Sequence, residues 1–121
     1  MIVVTTSEVP GYRIDAVLGE ALGVVVCTTV RPGFSSGLRA GNGGEVPEAS
    51  TSAYHSRREA ISRLVTEATS RGANAIVGMR QECDSIDTLT QFTAYGTAVV
   101  IEAIPAGQPG STPQSARVVD A

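Results

Sequence analysis

Apolar and polar positions alternate along this chain with two distinct periods. Ile61, Leu64, Val65 and Ala68 recur at i, i+3, i+4 and i+7, one stripe of a helix with about 3.6 residues per turn. Arg58, Ser62, Arg63 and Thr69 fall on the opposite face. The pattern predicts a helix from about Ser52 to Arg71. Ser50, Thr51 or Ser52 is placed to cap its first turn by accepting an unpaired backbone N–H. Gly72 supplies the following position, where a left-handed φ closes a helix at little cost.

The other period belongs to strands. Gly23 to Val30 is almost continuously apolar and β-branched. Such a run predicts a strand buried on both faces, or with one face in a subunit interface. Ile2 to Thr6 reads as a short strand, the turn signal Val9-Pro10-Gly11-Tyr12 follows it, and Arg13 to Gly23 is ambiguous. After the helix, Ala75 to Cys83 starts apolar and then alternates. Asp84 to Asp87 reads as a hairpin connection, and Leu89 to Ile104 as a long strand. Gly96 within that strand predicts a bulge or a close approach of backbone.

Between the Gly23 strand and the helix, residues 34–52 are polar and glycine-rich, with Gly37, Gly41, Gly43 and Gly44 close together. Glycine loses the most backbone entropy on ordering, so this loop is expected to be mobile unless a neighbour clamps it. It does not fit the phosphate-binding pattern, and the chain has no Lys to contact a phosphate. Pro105 onward, with three Pro and two Gly, is expected to be disordered. The expected organisation is one domain over 1–104 and a tail over 105–121.

Composition narrows the function. A chain of 121 residues is one domain. With 4% aromatics and no Trp, Val, Ile, Leu and Ala must fill the core. Fewer large side chains mean less stabilisation from burial, which favours self-association as a further source of buried area. The net charge is −3 and all nine cations are Arg. No basic cluster exceeds Arg57-Arg58, so the electrostatic footprint of nucleic-acid binding is missing. No run approaches the roughly 18 apolar residues of a membrane span, and Met1 to Thr6 lacks the basic start and long apolar run of a signal peptide. The expectation is a soluble cytoplasmic protein that binds neither nucleic acid nor membrane. Its two cysteines, outside any C-x-x-C pair, are then free thiols.

Several motifs recur together in one known family. Thr5-Thr6, Gly11-Tyr12, Gly43-Gly44 before the helix, Gly72-Ala-Asn-Ala-Ile-Val-Gly78 after it, and Ala94-Tyr-Gly-Thr-Ala-Val99 stand in the same order. Over about residues 1–104 the chain resembles the YbjQ-like family. The resemblance implies an α+β subunit, an antiparallel β-sheet packed by one long α-helix. It also implies a build similar to dodecin and assembly as a homopentameric ring. That family carries a heavy-metal-binding label without an assigned biochemical role.

Soft metals favour thiolate and imidazole ligands, which makes Cys27, His55 and Cys83 the candidate metal ligands. Consecutive members are 28 residues apart, unlike any chelating motif, so an inter-subunit site repeated around a ring is the form such binding would take. The plainer reading of Cys27 is a small core hydrophobe, while Glu82 and Asp84 make Cys83 the more polar of the two. Glu82, Asp84 and Asp87 offer oxygen ligands but lack the calcium-loop pattern, and read as a solvated turn. His55 with Arg57 and Arg58 at a helix start would suit an anion, or be inert. Cysteine catalysis would need an oriented imidazole that nothing local supplies. The sequence therefore favours a non-enzymatic homo-oligomer binding a soft metal ion or small ligand at subunit interfaces. The alternative is a scaffolding oligomer that engages a partner protein through its glycine-rich loop or C-terminal tail.

Overall fold

The structure, a computed structural model, describes residues 1–28 and 44–120. Four strands form one sheet: β1 (Ile2–Val3), β2 (Tyr12–Thr28), β3 (Ala75–Ile86) and β4 (Leu89–Ala103). Helix α1 (Pro47–Ser70) lies between β2 and β3 in sequence, and α2 (Pro113–Asp120) follows β4. The strand order is β1-β3-β4-β2. The sheet is mixed rather than purely antiparallel, because β1 runs parallel to β3 with Ile2 opposite Ala75. Parallel pairing is possible here because the long β2–α1 excursion separates the two strands in sequence.

The ambiguous segment 13–23 is strand, so β2 is one ribbon of 17 residues paired with β4 from Tyr12–Ala103 to Thr28–Leu89. Its register shifts after Ile14 and after Val17, and these irregularities break the alternation on which a sequence reading depends. Residues 29–43, with the end of the expected strand and most of the glycine-rich loop, lie outside the described residues. From Pro47 on, the rest of that expected loop is helix. Pro47 opens α1, where its missing N–H costs nothing. The N-cap is Val46, without a side-chain cap, so the cap expected from Ser50, Thr51 or Ser52 does not form. At the other end the expectation holds. Gly72 has φ 89, its N–H donates to Thr69, and the Ala73 N–H donates to Ala68, the paired closure of a Schellman motif.

α1 lays Ala60, Leu64 and Ala68 onto β2 and β4, where Ala21, Phe92, Ala94 and Ala98 meet them. This interface is built from small residues. A Cβ on Gly23 would sit 2.1 Å from the Ala60 carbonyl oxygen and 2.4 Å from the Leu64 nitrogen, so the helix touches the strand backbone itself. Gly96 shows the expected close approach. A Cβ there would lie 2.7 Å from Ile76 Cγ2, facing the β3 bulge at Gly78 and Met79.

A second apolar cluster, Val9, Ala75, Val77, Val99 and Ile101, lies on the opposite face of the sheet. Asn74, just before β3, joins that strand to β4 there. Its side chain donates to the Ile101 carbonyl at 2.8 Å and accepts the Ile101 N–H at 2.7 Å, so one amide imitates a ladder partner.

The C-terminal segment, expected to be disordered, forms α2. Thr112 and Ser115 cap it reciprocally: the Ser115 N–H donates to Thr112 Oγ1 at 3.1 Å, and the Thr112 N–H to Ser115 Oγ at 2.9 Å. Ser115 is fully buried and donates to the Ile104 carbonyl at 3.2 Å. It packs at Gly11, where a Cβ would lie 2.8 Å from its hydroxyl. Composition pointed to disorder, but one capping pair and a glycine seat were enough to dock the segment.

Candidate functional site

Cys27 lies near the end of β2 on the face covered by α1. It is half-buried, with Sγ 3.8 Å from Ser56 Oγ and donating to the Thr90 carbonyl at 3.8 Å. Beside it is a cavity of about 160 Å³, walled by Ser52 and Ala53 of α1 and by Thr90 and Phe92 of β4. The thiol is thus neither a sealed core residue nor freely exposed. A small, mostly apolar recess with one soft donor can accept a compact apolar group or part of a metal's ligand shell.

Cys83 pairs with Phe92 across β3 and β4, while Cys27 pairs with Thr90 across β2 and β4. Both cysteines therefore point to the helix side of the sheet, but β4 lies between them. Two strand spacings amount to about 9.6 Å, too far for an intrachain disulfide. Cys83 is exposed.

His55 is also exposed, in the third turn of α1 rather than at its start, since the helix begins at Pro47. It is therefore removed from the free N–H groups of the first turn, and the anion reading loses its helix end. The ring stacks edge-on to Tyr54 at 5.6 Å. The two arginines beside it diverge. Arg57 reaches Gln81 on β3 and lies 5.8 Å from the Phe92 ring centre, whereas Arg58 folds back onto Tyr54.

Among the described residues no three His, Cys, Asp or Glu side chains converge on a point that could hold a metal. The described donors within one chain therefore do not amount to a closed metal site. The acidic trio is dispersed as well. Glu82 accepts from the Tyr95 hydroxyl at 3.1 Å, which together with the glutamate's charge raises the tyrosine pKa above its ordinary 10.0. Asp87 is in the two-residue turn between β3 and β4, at φ 58.

The feature that sequence reasoning half-saw is the other face of β2. Ile14, Val17, Leu22, Val24 and Val26 all face away from α1 and are between 38% and 67% exposed. Among the described residues the expected burial on both faces does not occur within one chain. β2 is also the edge of the sheet, and its outward backbone groups are met by one row of α1 side chains. Arg63 donates to the Val24 carbonyl at 2.8 Å, Glu67 accepts the Leu22 N–H, and Arg71 donates to the carbonyls of Leu18 and Glu20. Residues 63, 67 and 71 are four apart, so the helix period brings all three to the strand edge. Only contact between elements distant in sequence could reveal this row. No helix among the described residues is long and apolar enough to cross a membrane.

A family model described as "Putative heavy-metal-binding" matches residues 1–102. A UPF0145 protein of Acidothermus cellulolyticus is 46% identical over 100 residues, covering 81% of this chain and 93% of the relative. Another, from a Bradyrhizobium species, is 48% identical over 104 residues, covering 84% and 94%. A third, from the archaeon Pyrococcus abyssi, is 45% identical and covers 84% and 91%. A crystal structure of a DUF74-family protein of unknown function from Pediococcus pentosaceus shares the fold. Its TM-score is 0.50 at 17% identity, covering 84% of this chain and 98% of that one.

Proposed function

We propose a function from one premise: this chain belongs to the YbjQ family. On our reading it is a non-enzymatic cytoplasmic protein that assembles into a homopentameric ring and binds a soft metal ion or other small ligand where subunits meet. The observation that carries the assembly is the outer face of β2, where five large apolar side chains stand exposed on one strand. A contiguous apolar surface of that kind is expected where another protein surface covers it.

The ligand part rests on the Cys27 recess and on the family's heavy-metal-binding description. Among the described residues one chain's donors do not converge on a metal site, so on this reading a second subunit contributes donors, and a ring supplies them by repeating each cysteine. Native mass spectrometry of untagged protein, with metal analysis of the same sample, tests both parts. The expected result is a pentamer carrying a stoichiometric ion, lost when Cys27 and Cys83 are both changed to Ser. A monomer overturns the assembly. Unchanged metal content in the double variant overturns the thiolate site.

A further inference from the structure

A second concavity lies where β1, the turn before β2 and α2 come together. Its volume is about 560 Å³, inside the roughly 300–1,000 Å³ range of small-molecule sites. Ile2, Val4, Val9 and Tyr12 form an apolar floor, continuous with the second core cluster. Gln114 and Arg117 of α2 stand along one side. The family model ends at residue 102, so this wall comes from the chain's own C-terminal segment and not from the shared domain. It is firmly seated through the Thr112–Ser115 capping pair and the Ser115 bond to Ile104.

The arginines mark the charge this groove would accept. Arg13 pairs with Glu102, and Arg63 with Glu59. Arg57, Arg58, Arg71 and Arg80 each donate to a partner within the chain. Arg117 is the one described arginine without such a partner among the described residues, and it lines an apolar groove. We infer that the groove binds an amphipathic monoanion, its aliphatic or aryl body on the Ile2–Val4–Val9–Tyr12 floor and its carboxylate or sulfonate on Arg117, with Gln114 as a second donor. A guanidinium can hold such a head group through two parallel hydrogen bonds. The competing reading is that Arg117 only complements the C-terminal dipole of α2. That role requires no ligand and would leave apolar probes indifferent to charge.

Octanoate is the probe and 1-octanol its uncharged counterpart, each titrated by calorimetry into the full-length protein. Octanoate is expected to saturate at one per chain and to bind about tenfold more tightly than the alcohol. Arg117→Gln, an exposed position, should erase that preference while leaving octanol binding unchanged, and Arg117→Lys should restore part of it. Val4→Phe, which fills the floor, should weaken both probes with Arg117 intact. Equal affinity for the two probes, no saturable octanoate binding, or octanoate binding insensitive to both Arg117→Gln and Val4→Phe would each overturn the inference. Cys27→Ser should leave octanoate binding unchanged, so this groove and the proposed inter-subunit site can fail independently.

Discussion

The two faces of β2 invert the usual relation between side-chain size and burial. Toward α1 the strand presents Ala21 and Gly23, both buried, and the helix answers with Ala60 and Ala68. Away from α1 the same strand presents Leu22, Val24 and Val26, all exposed. Small residues are buried because the helix backbone comes within contact of the strand backbone at Gly23. Large ones stand exposed because no described element covers this stretch of the strand on that face. A chain built this way gains close packing from its inner face and leaves on its outer one apolar area that would yield about 25 cal/mol per Å² if covered. The inner face therefore accounts for the fold, and the outer face for our proposal of assembly.

The hardest blow to this contrast is on the inner side. Gly23→Val would drive side-chain atoms into the Ala60 carbonyl and the Leu64 nitrogen, backbone groups that cannot rotate away. We expect a loss of about 3 kcal/mol or more in chemical denaturation; a loss below about 1 kcal/mol would mean that the helix is free to lift off the strand.

One position further along, the opposite outcome is expected. Val24→Glu should change the folding stability of the single chain by no more than about 0.5 kcal/mol. It should nevertheless weaken association by roughly 3 kcal/mol through an unpaired charge in the interface. Sedimentation velocity over a concentration series reads the second effect, and an unaltered distribution would remove β2's outer face from the interface.

The strand edge lies between these extremes. Arg71→Ala releases the carbonyls of Leu18 and Glu20 to water, and should cost about 1 kcal/mol. Hydrogen exchange at the β2 amides would show whether the loosening is confined to the edge.

The mildest test concerns the polar part of the outer face, where Tyr95 donates to Glu82. A tyrosine whose folded pKa is raised contributes stability that is complete below its unfolded value near 10.0 and is lost as pH rises through the folded value. Glu82→Gln removes the charge that opposes ionisation, so the ultraviolet titration midpoint of Tyr95 should fall toward 10.0. A midpoint that stays where it was would assign the shift to some other group.

Much of this could be read from residue order, for reasons that differ by element. The stripe through Leu64 and Ala68, the Gly72 closure and the β3–β4 hairpin are governed by local periodicity and by the φ that one residue can adopt. The parallel β1–β3 pair, the Asn74 side chain standing in for a strand and the row of Arg63, Glu67 and Arg71 along the β2 edge were not legible. Each joins positions from 27 to 73 residues apart in sequence, and no local pattern encodes such a meeting. The tail shows the same limit in reverse. Its composition argued for disorder, yet docking turned on Ser115 meeting Gly11 and Ile104.

The candidate ligands divide along the same line. Sequence alone determined that Cys27, His55 and Cys83 are the thiolate and imidazole donors this chain possesses, because donor chemistry belongs to the side chain. Only the tertiary structure decided that β4 separates the two thiols, that His55 stands clear of the helix start, and that Cys27 borders a recess. It also decided that Arg117 lies beside an apolar groove. Ligand geometry is set by strand register and helix placement, and these depend on contacts between parts of the chain far apart in sequence.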